Sequence, residues 1–217
     1  KEIKQHTLEN LDYYLEMVER NVLAAGGHIY FAHDASAAAS YVVSLARQRG
    51  VKLVIKGKSM LSEEMDLNRR LEDEGIEPVE TDLGEFIVQL ADETPFHIIA
   101  PAIHKSREDV SQLFAEKLNT PHHDDIGDLA REARDQLREK FLAADMGITG
   151  ANFVVAETET VVLVTNAGGI LTSHDEGKSF SLRFLPDRES ISAVLPREKG
   201  GILIAGQGGV RVIEDVK

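Results

Sequence analysis

The stretch VKLVIKGKSMLSEEMDLNRRLEDEGIEPVETDLGEFIVQLADETPFHIIAPAIHK, Val51 to Lys105, decides the fold. Three short apolar runs, Leu53–Ile55, Pro78–Val79 and His97–Ala100, each end in a polar or glycine-bearing turn, and the first two lead into amphipathic segments. That alternation is the rhythm of βαβ units and predicts an α/β fold, a mostly parallel sheet flanked by helices. In open sheets of this kind ligands gather at the carboxyl ends of the strands. Those ends carry Lys56, Lys58 and Ser59, then Glu80, Thr81 and Asp82, then His104 and Lys105. A site is expected there.

On the amino-terminal side, Leu8, Leu11, Leu15, Val18 and Val22 recur at helical spacing and Gly26-Gly27 can end that helix. A short strand is predicted over His28–Ala32. Asp34 can cap the next helix, whose apolar stripe is Ala38, Tyr41, Val42, Leu45 and Ala46, with Gly50 as its stop. Within the central stretch, Ser62 is placed as the cap of a helix through Leu71, and Asp82 with Glu85 forms a capping-box pattern before Phe86, Ile87 and Leu90. A strand over Phe96–Ala100 runs into Pro101. Ser106 then caps a helix with Val110, Leu113, Phe114 and Leu118 on one face, and after a loop at Asn119–Asp125 another helix covers Ile126–Ala144.

From Gly150 onward the apolar period is that of strands. Asn152–Ala156 and Thr160–Thr165 form a pair joined by Glu157-Thr158-Glu159, and further runs lie at Phe180–Phe184, Ile191–Val194, Ile202–Ala205 and Val210–Ile213. The expected organisation is an α/β body over 1–167 and a small β-rich tail over 168–217.

Composition narrows the function. The 217 residues, 42% hydrophobic, can bury a sizeable core. No apolar run reaches the roughly 20 residues that span a bilayer, and the start KEIKQHTLEN lacks a signal-peptide core. A cytoplasmic protein is expected. With 24 Lys+Arg against 37 Asp+Glu, a formal charge of −13, nucleic acid is an unfavourable partner. The absence of cysteine removes disulfides, thiolate zinc sites and cysteine-held iron–sulfur clusters from this chain. Between Ser62 and Glu93 stand 12 acids and two bases, a pattern of solvated helix faces or of a docking surface for a basic partner.

Lys56-Gly57-Lys58-Ser59 is the strongest chemical signal. Glycine at a strand end lets the backbone approach an anion, two lysines supply charge and serine supplies a hydroxyl donor. The spacing is not that of a Walker A loop, and a plain turn with solvated lysines is the competing reading. Glu80 stands at a strand end with no capping duty and is the candidate acid–base carboxylate, whereas capping accounts for Asp82 and Glu85. His104 can face the same cleft or be an ordinary hydrogen-bonded histidine. His122-His123-Asp124-Asp125 lacks helical H-x-x-x-H spacing and reads as a polar loop rather than a metal site. Neither a G-x-S-x-G elbow nor a cysteine nucleophile is present.

The run KGKSMLSEEMDLNRRLEDEGIEPVETDLGEFIVQLADETPFHIIAPAIHKSREDVSQLF, with GITGANFVVAET and VVLVTN, resembles the lactate-utilisation (LUD) domain family, most closely the amino-terminal part of the protein B branch, over about Ile3 to Asn166. The resemblance implies a fold similar to ribose-5-phosphate isomerase, glucosamine-6-phosphate deaminase and coenzyme A transferases. It also implies a part in oxidising L-lactate to pyruvate within a multi-protein iron–sulfur electron-transfer system, so that other lactate-utilisation subunits are expected partners. The clusters would belong to the cysteine-rich region of full-length members or to a partner. Two family turns place Glu157, Thr158 and Asn166 among the ligand-facing residues; here they read Glu157-Thr158-Glu159 and Thr165-Asn166-Ala167-Gly168-Gly169, where the family has E-T-G and T-N-E-G-N. By the same resemblance the chain begins inside the domain. Ser173 to Phe180 resembles the Asp-box hairpin turn of β-propellers, and Gly200–Val212 resembles the next strands of a blade, but one blade cannot close a propeller.

Two functions follow. In one, the body is a LUD subunit of a lactate-oxidising system that binds a small carboxylate or phosphate-bearing ligand at Lys56, Lys58, Ser59, Glu80, Asp82, His104 and Lys105, and a homo-oligomer is compatible with it. In the other, it is a non-catalytic scaffold with a degenerate site, whose acidic helices dock partners.

Overall fold

A computed structural model of the chain describes residues 2–96, 100–151, 153–157, 160–164, 169–173, 181–185, 191–196, 202–206 and 209–213. It divides into two compact units, one formed by Phe31–Gly150 and the other by Lys1–Tyr30 together with Ala151–Lys217.

The first unit is built on a parallel sheet. Strand β1 (Leu53–Lys56) pairs with β2 (Glu77–Glu80) on one side and with β3 (Met146–Ile148) on the other, giving the order β2-β1-β3. Both pairings are parallel, with Lys56 opposite Glu80 and Ile148. The expected α/β class and the βαβ step from β1 to β2 are therefore present. The third strand comes from a place the periodicity did not mark, since Met146–Ile148 offers only two apolar side chains. Of the strand expected over Phe96–Ala100, residues 97–99 lie outside the described residues, and Phe96 and Ala100 belong to no strand. His28–Ala32, also expected as a strand, is in none.

Alternation along β1 sends successive side chains to opposite faces, so each face has its own core. Val54 packs with Ala39, Ala46, Val51, Leu67, Leu71 and Ile76. Leu53 and Val79 pack with Phe86, Ile87, Phe114, Leu129, Ala133 and Leu137. Helices α3 (Ala35–Gln48), α4 (Met60–Glu64) and α5 (Leu67–Glu72) precede β2 in the chain, and α6 (Leu83–Ala91), α7 (Arg107–Leu118) and α8 (Ile126–Ala143) follow it. This is the doubly covered parallel sheet whose strands need apolar residues on both sides.

Local chemistry sets the helix ends. Asp34 accepts from Ala37 N and opens α3. At the other end Gly50 takes φ 67°, while Gly50 N bonds Arg47 O and Val51 N bonds Ala46 O, a Schellman closure that glycine permits without strain. The buried side of α3 is Ala39, Val42, Val43 and Ala46, one residue round from the predicted stripe, because the alanine-rich sequence leaves the phase of the period open. Instead of one helix from Ser62 to Leu71 there are two, α4 capped by Ser59 and α5 entered through Asp66 in the left-handed region at φ 53°. Aspartate tolerates that conformation better than most residues. Ser106 and Asp109 form a full capping box at α7, and Asp125 caps α8.

The second unit holds α1 (Glu2–Glu9) and α2 (Leu11–Ala24), interrupted at Asn10, and two antiparallel sheets. No residue of α2 is buried, so the predicted stripe is only partly covered. Asn21 Nδ2 donates to Ala156 O at 2.7 Å. One sheet is the meander β4 (Phe153–Val155), β5 (Thr160–Val164), β6 (Gly169–Ser173) and β7 (Ser181–Phe184); the other is β8 (Ile191–Pro196), β9 (Ile202–Gly206) and β10 (Gly209–Ile213). Strand β6 was not anticipated; it pairs with β5 and β7 and so joins sequence on both sides of residue 168. The Asp-box segment after Ser173 lies outside the described residues. Among the described residues no helix is long and apolar enough to cross a membrane.

Candidate functional site at the carboxyl end of the sheet

The carboxyl ends of all three strands meet in one rim. Gly57 N donates to Ile148 O at 2.8 Å, which ties the turn after β1 to the end of β3. A Cβ at Gly57 would lie 3.2 Å from Thr149 Oγ1, a tight contact that the Thr149 side chain would have to relieve by shifting a few tenths of an ångström. Thr81 closes the other side: its N and Oγ1 donate to Lys56 O at 3.0 and 2.8 Å. Rim residues are thus Gly57, Lys58 and Ser59 from β1, Thr81 and Asp82 from β2, and Thr149 and Gly150 from β3.

Beneath the rim is a buried polar cluster. Lys56 Nζ donates to Glu80 Oε1 at 2.7 Å and to Asn68 Oδ1 at 2.6 Å, and Asn68 Nδ2 donates to the same Glu80 oxygen at 2.9 Å. Lys56 and Glu80 are 1% and 4% exposed, so the pair neutralises itself inside the protein. A lone charge at that depth would be strongly unfavourable. Both residues were expected to meet a ligand; the structure instead commits each to the other and to Asn68.

Lys58 is different. Its side chain is 43% exposed, and its Nζ lies 3.8 Å from Oε1 of Glu85, which is buried in the first turn of α6. That separation is an ion pair beyond hydrogen-bond length. Ser59 caps α4, its Oγ accepting from Ser62 N at 3.3 Å, which leaves the hydroxyl hydrogen available to another acceptor. Asp82 does the capping predicted for it, Oδ1 accepting from Gly84 N and Glu85 N.

His104 and Lys105 gather elsewhere. His104 Nε2 lies 2.6 Å from Glu93 Oε2, and Lys105 bonds the other oxygen of Glu93. Lys105 and His104 together hold the Glu93 carboxyl below its usual range. Glu93 follows the carboxyl end of α6, whose eight-step rise puts about 12 Å between that end and the rim. Glu157 is an exposed turn residue of the other unit, and Thr158 and Asn166 lie outside the described residues. Sequence reasoning missed Asn68, Glu93 and Thr149, none of which carries a periodic or motif signal. Glu85 was visible only as a cap.

An iron–sulfur cluster needs cysteine thiolates. The sequence has no cysteine, and among the described residues no three His, Asp or Glu side chains gather to hold a metal. The donor set of this chain does not fit a cluster. His122 and His123 instead frame Ser111, whose Oγ accepts from His123 N at 2.9 Å.

The architecture is that of an α/β protein with its polar groups collected at the carboxyl edge of a parallel sheet. Residues 15–172 match the family model for the LUD domain, and the chain belongs to that family. It is 49% identical over 168 residues to proteins named Lactate utilization protein B from Bacillus thuringiensis (strain Al Hakam), Bacillus cereus (strain AH187) and Bacillus anthracis (strain A0248). Each alignment covers 77% of this chain and 36% of the relative, so the chain spans about a third of the length of these curated relatives. No solved structure matches it.

Proposed function

We propose that the chain is a lactate-utilization module of the cytoplasm that holds a small carboxylate at the sheet rim, with the electron-carrying iron–sulfur clusters supplied by a partner subunit or by another segment. What supports the role is membership of the LUD family and the name, Lactate utilization protein B, of relatives 49% identical over most of this chain. The observation that carries the binding reading is Lys58, a half-exposed ammonium in the turn after β1, followed in sequence by the Ser59 hydroxyl. An ammonium at the lip of a sheet attracts a carboxylate and remains hydrated enough to release it. The module itself binds and orients the ligand.

Calorimetric titration with L-lactate, pyruvate and coenzyme A tests the reading. Heat with one of the carboxylates, abolished by Lys58→Ala, is the expected result; no heat with any of the three overturns it. A scaffold function has one specific observation in its favour, the mutual neutralisation of Lys56 and Glu80, which withdraws two polar groups from ligand contact. Capture of a lactate-utilization partner by a Lys58→Ala variant that binds no small molecule would favour the scaffold.

A further inference from the structure

We infer that the chain has a second ligand site, a cavity beside β2 suited to a neutral bicyclic aromatic alcohol. Its volume is about 310 Å³. Among the described residues no strand pairs with the outer side of β2, so the sheet does not fill the space that α6 and α8 enclose there. Phe86 and Leu90, one turn apart on α6, Leu118 at the end of α7 and Val79 of β2 give the cavity apolar walls. Gln136 and Lys140, one turn apart on α8, bring polar groups to it. The cavity borders the start of β2, whereas the rim holding Lys58 lies past the carboxyl ends of the strands.

Size and chemistry select the occupant. An apolar cavity of about 150 Å³ takes one benzene ring, and twice that volume takes two fused rings with a small substituent. An added β-strand does not fit, because Gln89 already holds Glu80 N and Pro78 O on that edge and Pro78 has no N–H to give. On the polar side Lys140 Nζ donates to Glu77 Oε1 at 2.6 Å, and Glu77 lines the cavity too. The ammonium is thereby neutralised, and an anionic head group would meet the Glu77 carboxylate as well as Lys140. A hydroxyl has no such conflict. It can accept from one of the N–H groups that Lys140 keeps beyond that bond, and it can donate to the amide oxygen of Gln136, whose Nε2 bonds Glu132 Oε1 at 3.0 Å. Glu77 and Lys140 are both about half-exposed, so a ligand can enter past them.

The probes are 2-naphthol, neutral at pH 7, and 2-naphthoate, the same ring system carrying an ionised carboxylate. Equilibrium dialysis of the full chain should show one 2-naphthol bound per molecule, saturating by about 1 mM, and 2-naphthoate binding about tenfold more weakly. Leu118→Trp fills the cavity from one wall and should abolish binding while the circular dichroism stays that of the unaltered chain. Gln136→Leu removes the acceptor of the hydroxyl and should weaken 2-naphthol about fivefold. Absence of 2-naphthol binding, undiminished binding in folded Leu118→Trp, or 2-naphthoate binding as tightly as 2-naphthol overturns the inference. If Leu118→Trp fails to fold, Gln136→Leu decides, and an unchanged affinity there counts against the site.

Discussion

Lys56 and Glu80 occupy one register position of the β1–β2 ladder and close on each other at 2.7 Å with almost no access to water. Breaking such a pair strands the surviving charge, which costs about 3–5 kcal/mol. Lys56→Met is expected to destabilise by that amount in urea melts. Lys56→Met with Glu80→Leu removes both charges, and the double variant should be at least about 2 kcal/mol more stable than the single one. A double variant as unstable as the sum of its parts would contradict this account.

Among the described residues no strand pairs with the outer side of β2, and Gln89 bonds the strand's backbone there. Its Oε1 accepts from Glu80 N at 2.9 Å and its Nε2 donates to Pro78 O at 2.8 Å, along the side of β2 turned away from β1. Pro78 is tolerated for the same reason, because its lost N–H belongs to that side. Gln89→Ala should cost about 1–3 kcal/mol through the unmet backbone groups. The bared edge should also self-associate, seen as a larger mass by light scattering. An unchanged mass would show that Gln89 does not guard the edge.

Asp145 clamps the start of β1, its Oδ2 accepting from Lys52 N at 2.8 Å and Leu53 N at 3.0 Å. Those two N–H groups, Lys52 first, hold its carboxyl below the ordinary range. A folded-state value lower than the unfolded one means that the carboxylate contributes stability above about pH 4, and that this is lost as pH falls further through the folded value. The melting temperature of the protein should therefore fall on acidification below about pH 4. In Asp145→Asn the fall should be shallower; the slopes of the two curves decide it.

Phe114 has no exposed surface and meets Phe86 with ring centroids 6.3 Å apart at 57°. Phe114→Ala leaves a cavity beneath α6 and should cost about 3–5 kcal/mol. Chemical denaturation with an unchanged slope is the appropriate measure, since a changed slope would mean that the folded state itself had altered.

The β1-to-β2 crossover was legible because short apolar runs and turn residues follow each other at the right spacing, and so were α7 with its Ser106 start and the extent of α8, whose Asp125 cap only the structure shows. Helix α3 was legible in extent but not in phase: five alanines make several faces equally apolar, and only packing selected Ala39 and Ala46. Met146–Ile148 was hidden because a three-residue strand is too short to show a period. The rim turn at Lys56–Ser59 was correctly placed at a strand end. Its two lysines have the same parity, so alternation does not separate them; β1 ends at Lys56, which meets Glu80, and Lys58 lies beyond the strand in the exposed turn. Glu93 drew His104 and Lys105 to itself by proximity across a loop, a relation no motif encodes.

The late arrival of β3 has a consequence for biosynthesis. Asp145 and the strand it introduces are 92 residues beyond Leu53, the residue they clasp. At a translation rate of roughly 5–20 residues per second, a nascent chain holds one flank of β1 unpartnered for about 5–18 s. During that interval β2, only 24 residues downstream of its mate through the Lys56–Glu80 contact, is already within reach. The ribosome therefore delivers a two-stranded seed first and its third member much later, and whatever shields that flank meanwhile governs the yield of folded protein.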